Sequence, residues 1–382
     1  MQLSIKVKLA PSQEQKDILL KTIEAYNEAC DFISQIAFEN DTASVVKIHH
    51  LCYYEIRKRF NLSSQMAVRA VGKVADTYKI TKDKKLTLKT PHKFNKYGAV
   101  IYDQRILSWK GLEKVSILTL QGRQIIPIIL GGYQESKLIY PRRGQVDLLY
   151  QSGKFYLIPI VDVPEPPEEI NKGVLGVDLG VVNLAVDSMG EIYSGKEVDK
   201  KRVKIDMLKS ALQKRGSKSA KRHLKKLSGK ESRFRKNVNH NISKKIVAKA
   251  KRHSLGISLE KLTGIRERTR LRKAQRRQHS SWAFDQLQQF IAYKAKLAGI
   301  LVSFVNPRNT SRTCPECGFI SKSNRHNQSS FVCKSCGFAE LADFVGAINI
   351  SRLATANLPI VAPARGVTNL RLSSEVVDTA IS

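Results

Sequence analysis

The chain has 382 residues and carries 66 Lys and Arg against 33 Asp and Glu, a net charge of +33 at pH 7 with a pI near 10.0. That length allows two or three domains with a real hydrophobic core. A balance this basic predicts a polyanionic partner, because the free protein repels itself without counterions. A ribosomal or generally solvated basic protein is the alternative that charge alone leaves open. No apolar stretch approaches the ~20 residues that span a bilayer, so no membrane partner is expected.

The six cysteines indicate a metal site. Four of them form two C-x-x-C pairs, which in an intracellular protein favours zinc over disulfides. Cys30 and Cys52 lie in apolar helical contexts and are predicted to be core thiols. The first 15 residues contain no uninterrupted apolar segment of a secretory leader. We therefore expect a cytoplasmic, nucleoid-associated protein.

The first 160 residues predict a β-barrel with a helical insertion. Residues 1–10 alternate apolar and polar side chains as a strand does, and residues 12–40 and 43–80 show helical spacing. Residues 86–161 contain short apolar segments, "KLTLKT" and "SKLIYP" among them, that predict the strands of a barrel or sandwich. The Pro- and Glu-rich segment 163–172 predicts a linker and the first domain boundary.

After the linker the pattern is α/β. "VLGVDLG", "NLAVDS" and "EIYSG" predict a three-stranded meander, and "SLGISLEKL" and "ILVSFVNP" predict further strands. Residues 200–236 hold 16 Lys and Arg, which predicts a basic helical hairpin broken at Gly216. That hairpin either contacts nucleic acid or presents a plain solvated face. "AFDQLQQFIAYKAKLAG" predicts a helix ended by Gly299, and residues 355–382 predict a flexible C-terminal tail.

"CPECGF" and "CKSCGF" place Cys314, Cys317, Cys333 and Cys336 in two knuckles. Each knuckle turns two thiolates toward one point, and the glycine that follows permits the turn. Two knuckles supply the four ligands of a closed structural zinc site, which holds a loop and does no chemistry. His326 would be a fifth ligand, so it is interpreted as a polar surface residue or a nucleic-acid contact.

Three carboxylates stand in unusual settings: Asp178 within an apolar strand, Glu260 at a strand end, and Asp343 at the start of a helix. Singly, each has an ordinary explanation: a hydrogen-bonded buried carboxylate, a solvated strand end and an acid complementing the helix dipole. Together they are the hard oxygen ligands that a pair of Mg²⁺ ions requires to hydrolyse a phosphodiester. The glycines on either side of Asp178 would give metal and phosphate close access to the strand.

"GVDLGVVNLAV" also permits a rival interpretation. It is similar to the first phosphate loop of the actin and heat-shock-chaperone ATPases. That family duplicates an acidic-to-neutral domain along its whole length. This chain has no second copy, has a charge of +33 and carries a zinc module, so the ATPase interpretation is disfavoured.

The chain contains, in order, a strand Asp, a strand-end Glu, basic helices, zinc knuckles and a final helix Asp. In this arrangement it resembles TnpB, the RNA-guided nuclease of bacterial insertion sequences. The relatives of TnpB include the compact type V CRISPR effectors. The signatures are "GVDLGVVNLAV", "GISLEKL", "NTSRTCPECGF", "CKSCGF" and "ADFVGAINI". Asp178, Glu260 and Asp343 fall on the family's catalytic acids, and the four cysteines fall on its zinc ligands.

The resemblance implies an α+β multidomain architecture. Residues 1–172 would form a wedge β-barrel with a helical recognition insertion at about 11–85. Residues 173–309 and 339–354 would form a RuvC-type, RNase H-like α/β nuclease, and residues 310–338 an inserted zinc-ribbon-like element. The assembly that the resemblance implies is a ribonucleoprotein in which the chain is a monomer.

The chain departs from the family in three places. Val345 and Gly346 replace the Asn and first Ala of the usual Asp-x-Asn-Ala-Ala, which concerns local packing more than catalysis. An Arg common before the second knuckle is missing, and Arg325 is the candidate substitute. "KNVNHNISKK" keeps His240 but not the acid of the usual Asp-Phe-x-His-Lys.

The implied function is RNA-guided, Mg²⁺-dependent cleavage of double-stranded DNA at a single RuvC centre. A transposon-derived guide RNA would read the target, and the protein would read a short adjacent motif. Candidate nucleic-acid contacts are polar residues of one helix and of a basic run, namely Gln65, Arg69, Lys73, Arg266, Arg268, Arg270 and Arg272. The alternatives are an RNA-guided DNA-binding repressor that never cuts and a guide-free RuvC-like nuclease.

Overall fold

The computed structural model describes residues 1–167, 171–261, 284–325, 327 and 329–356. The chain divides into two compact units, Met1–Pro164 and Glu165–Ser382. That division falls inside the segment predicted to be a linker. Among the helices of the described residues, none is both long and apolar enough to cross a membrane.

The first unit combines a sheet with inserted helices. Its strands are β1 (Gln2–Ser4), β2 (Val7–Leu9), β3 (Val100–Tyr102), β4 (Leu107–Lys110), β5 (Lys114–Thr119), β6 (Gly122–Ile129), β7 (Arg142–Gln151) and β8 (Lys154–Asp162). Its helices are α1 (Gln13–Glu39), α2 (Val45–Phe60), α3 (Ser64–Asp83) and α4 (Gly132–Leu138). All strand pairs are antiparallel, in the order β3-β7-β8-β2-β6-β5-β4 with β1 on β8, and the sheet is nearly closed into a barrel.

Helices α1 to α3 lie between β2 and β3, where the sequence predicted a helical insertion. Ser12 and Ser63 cap two of these helices through their side chains, and Asn61 ends α2 in the left-handed conformation at φ +52°. The apolar residues of α3 are buried, as Met66 and Val74 illustrate, in agreement with the helical spacing predicted for residues 43–80. Cys30 and Cys52 are buried free thiols, as predicted.

Two predicted strands of this unit are wrong. "KLTLKT" forms no strand: Lys85 has φ +52°, and Leu86 is 60% exposed. "SKLIYP" begins inside helix α4, whose first turn is closed by a hydrogen bond from the Gly131 N–H to the Gln134 Oε1 atom at 3.2 Å. Alternation of side chains does not make a strand where no neighbouring strand is available to accept the backbone hydrogen bonds.

The second unit has a five-stranded sheet and a basic hairpin of helices. Its strands are β9 (Val174–Asp178), β10 (Asn183–Asp187), β11 (Ile192–Ser194), β12 (Gly256–Glu260), β13 (Val302–Val305), β14 (Ser330–Val332) and β15 (Ala339–Leu341). Its helices are α5 (Lys196–Arg215), α6 (Lys218–Arg252), α7 (Phe284–Leu297) and α8 (Ala342–Ala356), with a short 3₁₀ helix at Lys322–Asn324. The sheet order is β11-β10-β9-β12-β13, and β14 pairs with β15 separately.

The predicted meander β9-β10-β11 is antiparallel, whereas β12 and β13 run parallel to β9. Gly216, at φ +64°, separates α5 from α6 as predicted. Helix α6 packs on α7, where His240 stacks on Phe290 with ring centroids 4.0 Å apart. Gly299, at φ +73°, follows the end of α7. The predicted tail lies outside the described residues from position 357 onward.

Candidate metal-dependent nuclease site

Two of the three predicted acids end neighbouring strands. Asp178 is the last residue of β9 and Glu260 the last residue of β12. The two strands are parallel and in register, with Leu259 opposite Val177. The next residue on each strand is the acid, so the two carboxylates leave the same edge of the sheet side by side.

Helix α8 brings the third acid to this edge. Asp343 lies in its first turn, and the helix packs directly on β9. Gly176 makes this possible, because a Cβ there would lie 2.1 Å from the Ala347 carbonyl oxygen. The glycine thus serves helix packing, rather than the access for metal and phosphate that its sequence context predicted. Gly346 leaves room for Asp178, since a Cβ at this position would lie 2.8 Å from the Asp178 Oδ2 atom.

The pKa values of two of the three carboxylates are raised. Burial raises the pKa of Asp178 to about 8, with the Glu260 and Asp343 charges adding to the rise and Arg325 opposing it. Burial also raises the pKa of Glu260, against the lowering effect of the Thr310 hydrogen bond and of Arg325. Negative charge held close together in a partly buried site favours binding of a cation.

Polar neighbours fix the orientation of two of the acids. The Thr310 hydroxyl donates to Glu260 Oε1 at 2.5 Å, and the Asn183 amide donates to Asp343 Oδ2 at 2.9 Å. The Gln288 amide donates to the Glu260 carbonyl oxygen at 2.6 Å. The sequence did not single out these three residues. Their only signal was that Thr310 and Asn183 stand inside the motifs that carry the resemblance.

The carboxylates are suited to hard divalent cations such as Mg²⁺, whose preferred ligands are oxygens. In the part of the chain that the structure describes, the four cysteines are the one set of three or more Cys, His, Asp or Glu whose ligand atoms meet tightly enough to share a single ion.

The four cysteines come together as the knuckle spacing predicted. Their Sγ atoms all lie within 4.8 Å of one another, and two of the Sγ···Sγ distances, Cys314 to Cys336 and Cys317 to Cys333, are 3.6 Å. Four thiolates at about 2.3 Å from one tetrahedral zinc ion stand roughly 3.8 Å apart. The cluster therefore fits a structural zinc ion.

The two knuckles have the same backbone. Gly318 and Gly337 lie at φ +75° and +77°, and each donates its N–H to the carbonyl oxygen of the first cysteine of its knuckle, at 3.0 and 3.1 Å. Asn324 is fully buried and connects the knuckles. It donates to the Phe319 carbonyl oxygen at 3.1 Å and accepts from the Lys334 N–H at 3.0 Å.

The segment that carries the four cysteines, residues 310–338 (the cysteine module), contacts the site of Asp178, Glu260 and Asp343 (the acidic site). The Asn349 amide, on α8, donates to the carbonyl oxygens of Thr310 and Thr313 at 2.7 and 2.8 Å. From the module, the Arg325 Nη2 atom lies 3.9 Å from Asp343 Oδ1. Arg325, the candidate substitute for the missing family arginine, is thus placed beside the acids. These contacts link the position of the module to that of the acids.

The predicted contact residues of α3 are engaged within the protein. Arg69 donates from Nε and Nη2 to Asp103 Oδ2 at 2.8 and 2.7 Å, and Gln65 donates to the same oxygen. Lys73 donates to Asn27 Oδ1 at 2.9 Å and to the Ala99 carbonyl oxygen at 2.6 Å. These contacts join the inserted helices to the following segment. Nucleic-acid binding by the three residues stays a prediction.

The remaining predicted contacts, Arg266, Arg268, Arg270 and Arg272, lie outside the described residues, as does His326. The basic hairpin itself is described. Ile205, Leu212 and Leu227 are buried between α5 and α6, while most of its Lys and Arg side chains are exposed. Its contact with RNA or heteroduplex phosphates also stays a prediction.

Two family models match parts of the second unit and the segment before it. Residues 158–263 match a family model described as a probable transposase, OrfB_IS605, and residues 284–350 match the TNB domain of Cas12f1-like proteins. The two matches cover β9, β12 and their acids in one case, and the cysteine module and Asp343 in the other.

Individual relatives show the same similarity to Cas12f1 and TnpB-like proteins. The chain is 32% identical over 204 residues to the CRISPR-associated endodeoxyribonuclease Cas12f1 of Syntrophomonas palmitatica, covering 49% of this chain and 40% of that one. It is 38% identical over 128 residues to a TnpB-like protein of Methanocaldococcus jannaschii, covering 33% and 45%. The predicted resemblance to TnpB and the compact type V effectors is thereby confirmed. The chain spans less than half the length of these two relatives.

The fold agrees as well. The structure superposes on that of a Cas12f1–sgRNA–target DNA complex with a TM-score of 0.61, at 19% identity, over 89% of this chain and 83% of that one. The chain therefore has the fold of the compact effectors.

Proposed function

We propose that this chain is an RNA-guided DNA endonuclease that hydrolyses phosphodiester bonds at the site of Asp178, Glu260 and Asp343. The observation that carries the proposal is the convergence of these three carboxylates, from β9, β12 and α8, at one edge of the sheet. The raised pKa of Asp178 supports it, because burial and then the charges of Glu260 and Asp343 disfavour the ionised carboxylate, and a bound cation would offset both effects. The likeness to endodeoxyribonucleases supplies the substrate class.

The three carboxylates would hold two Mg²⁺ ions about 3.5–4 Å apart. Such ions, when bound, supply an activated water and stabilise the leaving oxygen of the phosphodiester. The protein's own part is positioning. Thr310 orients the Glu260 carboxylate and Asn183 orients that of Asp343. Gly346 leaves space for the Asp178 carboxylate, which a side chain at position 346 would contact.

Arg325 supplies the positive charge of the site. It lies beside Asp343 and lowers the pKa of both Asp178 and Glu260. A guanidinium in this position also suits a phosphate oxygen of the scissile strand, because its planar donors match that geometry. Its place on the cysteine module makes the module part of the nuclease rather than an independent binding element.

A transposon-derived guide RNA would pair with one DNA strand, and the protein would read a short adjacent motif and the shape of the heteroduplex. The exposed basic face of α5 and α6 would neutralise the phosphates. Both DNA strands would be cut in turn at the single site of the RuvC-type sheet. We place the protein in the cytoplasm with the nucleoid as its target.

The test begins with the RNA that co-purifies with the protein. Sequencing should return one dominant species that ends in a variable guide, and a matched double-stranded target should then be cut only with added Mg²⁺. Asp178→Asn should lower the cleavage rate by at least about 10³-fold while binding of the target survives. Glu197→Gln, which alters an exposed carboxylate of α5, is the matched control and should cut normally.

Three contrary results would each support a different conclusion. Guided binding without cleavage by the parent protein would indicate a repressor. Cleavage of branched DNA without RNA would indicate a guide-free nuclease. Retained cutting by Asp178→Asn would refute the assignment of the site.

A further inference from the structure

The first unit contains a cavity of about 430 Å³ that plays no part in the proposed cleavage. It opens beside the start of β7, between β4 and the end of α4, and its volume lies within the range of small-ligand sites. The pairing of β7 with β8 shifts register between Arg142 and Val146, and a bulge of this kind re-aims side chains. The bulge places Arg142 at the wall of the cavity, together with Trp109 and Tyr140.

The wall is aromatic and cationic. The Arg142 guanidinium carbon lies 4.8 Å from the centre of the Trp109 ring, which is a cation–π contact. Gln104 and Ser108 add an amide and a hydroxyl, and none of the described residues lining the cavity is acidic. Arg143 also lines it, but its guanidinium is paired with Asp162 at 3.0 Å. Among the described residues of the cavity wall, Arg142 is therefore the positively charged residue that has no acidic partner.

Arg142 has unused hydrogen-bonding capacity. Its Nη2 atom donates to the Leu138 carbonyl oxygen at 3.0 Å, whereas its Nε atom is buried and has no hydrogen-bond partner among the described residues. Burial lowers the pKa of this guanidinium from its ordinary value, so the cation is partly stripped of water. A buried donor left unmatched is costly, and an incoming acceptor oxygen would relieve that cost.

We propose that this cavity binds one unpaired nucleotide of a nucleic-acid strand. The base would stack against the Trp109–Arg142 pair, Gln104 and Ser108 would face its polar edge, and Arg142 would donate to a carbonyl or phosphate oxygen. Aromatic and guanidinium planes are the surfaces on which unstacked bases bind in single-stranded recognition. The net charge of +33 brings such a polyanion to the protein. The proposal does not rest on the nuclease activity.

The two tryptophans of the chain, Trp109 and Trp282, allow a direct test. In the full-length Trp282→Phe protein, Trp109 is the only tryptophan, and a stacked base should quench its fluorescence. Hexauridylate and hexathymidylate are titrated in separate arms, so that an RNA source and a DNA source are distinguished. We expect saturable quenching by at least one of them, and Asp178→Asn should leave it unchanged.

Two variants separate the cavity from general charge. Arg142→Gln should weaken the quenching titration about tenfold, and Arg142→Lys, which keeps the charge but loses the planar guanidinium, should also weaken it. Lys154→Gln removes one exposed positive charge from β8, outside the cavity, and should change the midpoint less than twofold. Unchanged thermal melting of each variant confirms that it is folded.

Three results would overturn the proposal. The first is unchanged Trp109 emission at oligonucleotide concentrations that saturate binding by fluorescence anisotropy. The second is equal weakening by Arg142→Gln and Lys154→Gln, which would assign binding to charge alone. The third is Arg142→Lys behaving like the parent protein. Failure of cleavage in the nuclease test has no bearing on these readouts.

Discussion

The cysteine module and the acidic site of the second unit are both suited to metal, but they are built in opposite ways. The module takes its four ligands from 23 consecutive positions, Cys314 to Cys336, and each knuckle is closed by its own backbone. The acidic site joins Asp178 to Asp343, which are far apart in the chain, through strand register and one helix packed on a glycine. The cysteine module therefore depends on a local motif, whereas the acidic site depends on the tertiary structure.

The module itself gives the largest expected effect. Cys333→Ala should reduce bound zinc from about one ion per chain to none, because a closed site with three thiolates loses most of its affinity. Cleavage should fall with it, since Arg325 and Thr310 reach the acids from this region. Zinc content by mass spectrometry and the cleavage rate are measured on the same preparation. Full activity in a zinc-free protein would show that the two sites are independent.

Gly176→Ala tests the tertiary assembly without altering any acid. The new Cβ meets the Ala347 carbonyl oxygen at 2.1 Å, so α8 must move off β9 and take Asp343 with it. We expect a loss of stability of about 3 kcal/mol and a loss of cleavage of at least about 100-fold, while bound zinc stays near one ion per chain. Thermal melting, cleavage and zinc content are measured together.

Gly72→Ala on α3 is the matched control for that substitution, since its Cβ would meet nothing within 4 Å. It should melt at or above the temperature of the parent protein, because alanine favours a helix over glycine. Parent-like cleavage by Gly176→Ala would mean that the acids do not depend on the position of α8.

The raised pKa of Asp178 predicts a pH effect on the protein without added magnesium. The folded chain keeps a proton on Asp178 up to pH of about 8, whereas the unfolded chain releases it near pH 4. The folded state binds more protons in that window, so this carboxyl makes stability fall as the pH rises from about 4 to about 8. Asp178→Asn removes this fall and should melt above the parent protein at pH 8.

The difference in melting temperature should vanish near pH 4, and added Mg²⁺ should raise the melting temperature of the parent protein more than that of Asp178→Asn. Melting is followed by differential scanning fluorimetry without chelator, so that zinc is retained. A variant that melts below the parent protein at pH 8 would contradict the electrostatic account of the site.

Thr310→Val should give the smallest effect. It keeps the size of the side chain and removes the hydrogen bond to Glu260, a contact of about 1.5–3 kcal/mol for a charged acceptor. We expect cleavage to fall about tenfold, and the pKa of Glu260 to rise further because the lowering effect of Thr310 is lost. The pH–rate profile should therefore move to higher pH.

Thr313→Val is the control for that variant. Among the described residues its hydroxyl donates to the Asn309 carbonyl oxygen within the same turn, at 2.9 Å, and its loss should leave the pH–rate profile in place. An unmoved profile for Thr310→Val would reduce Thr310 to a packing residue.

Local chemistry explains what could be read in advance. The knuckles, the break at Gly216 and the end of α7 at Gly299 all depend on residues a few positions apart, and all were predicted. "KLTLKT" and "SKLIYP" failed because a strand needs a partner as well as alternation. The internal contacts of Gln65, Arg69 and Lys73 could not be predicted, because their partners Asp103 and Asn27 lie more than 30 residues away in the chain. Binding of nucleic acid by these three residues stays a prediction.

By itself, then, the sequence determined the charge, the four thiolates, the helical hairpin and the identity of three unusual acids, because each depends on composition or on short-range geometry. Only the tertiary structure decided that Asp178 lies near Glu260 and Asp343 and that Gly176 allows α8 to pack on β9. It also decided that Thr310 and Asn183 orient two of the carboxylates. Burial and Coulomb interaction act through space, so the properties they confer appear only after the chain has folded.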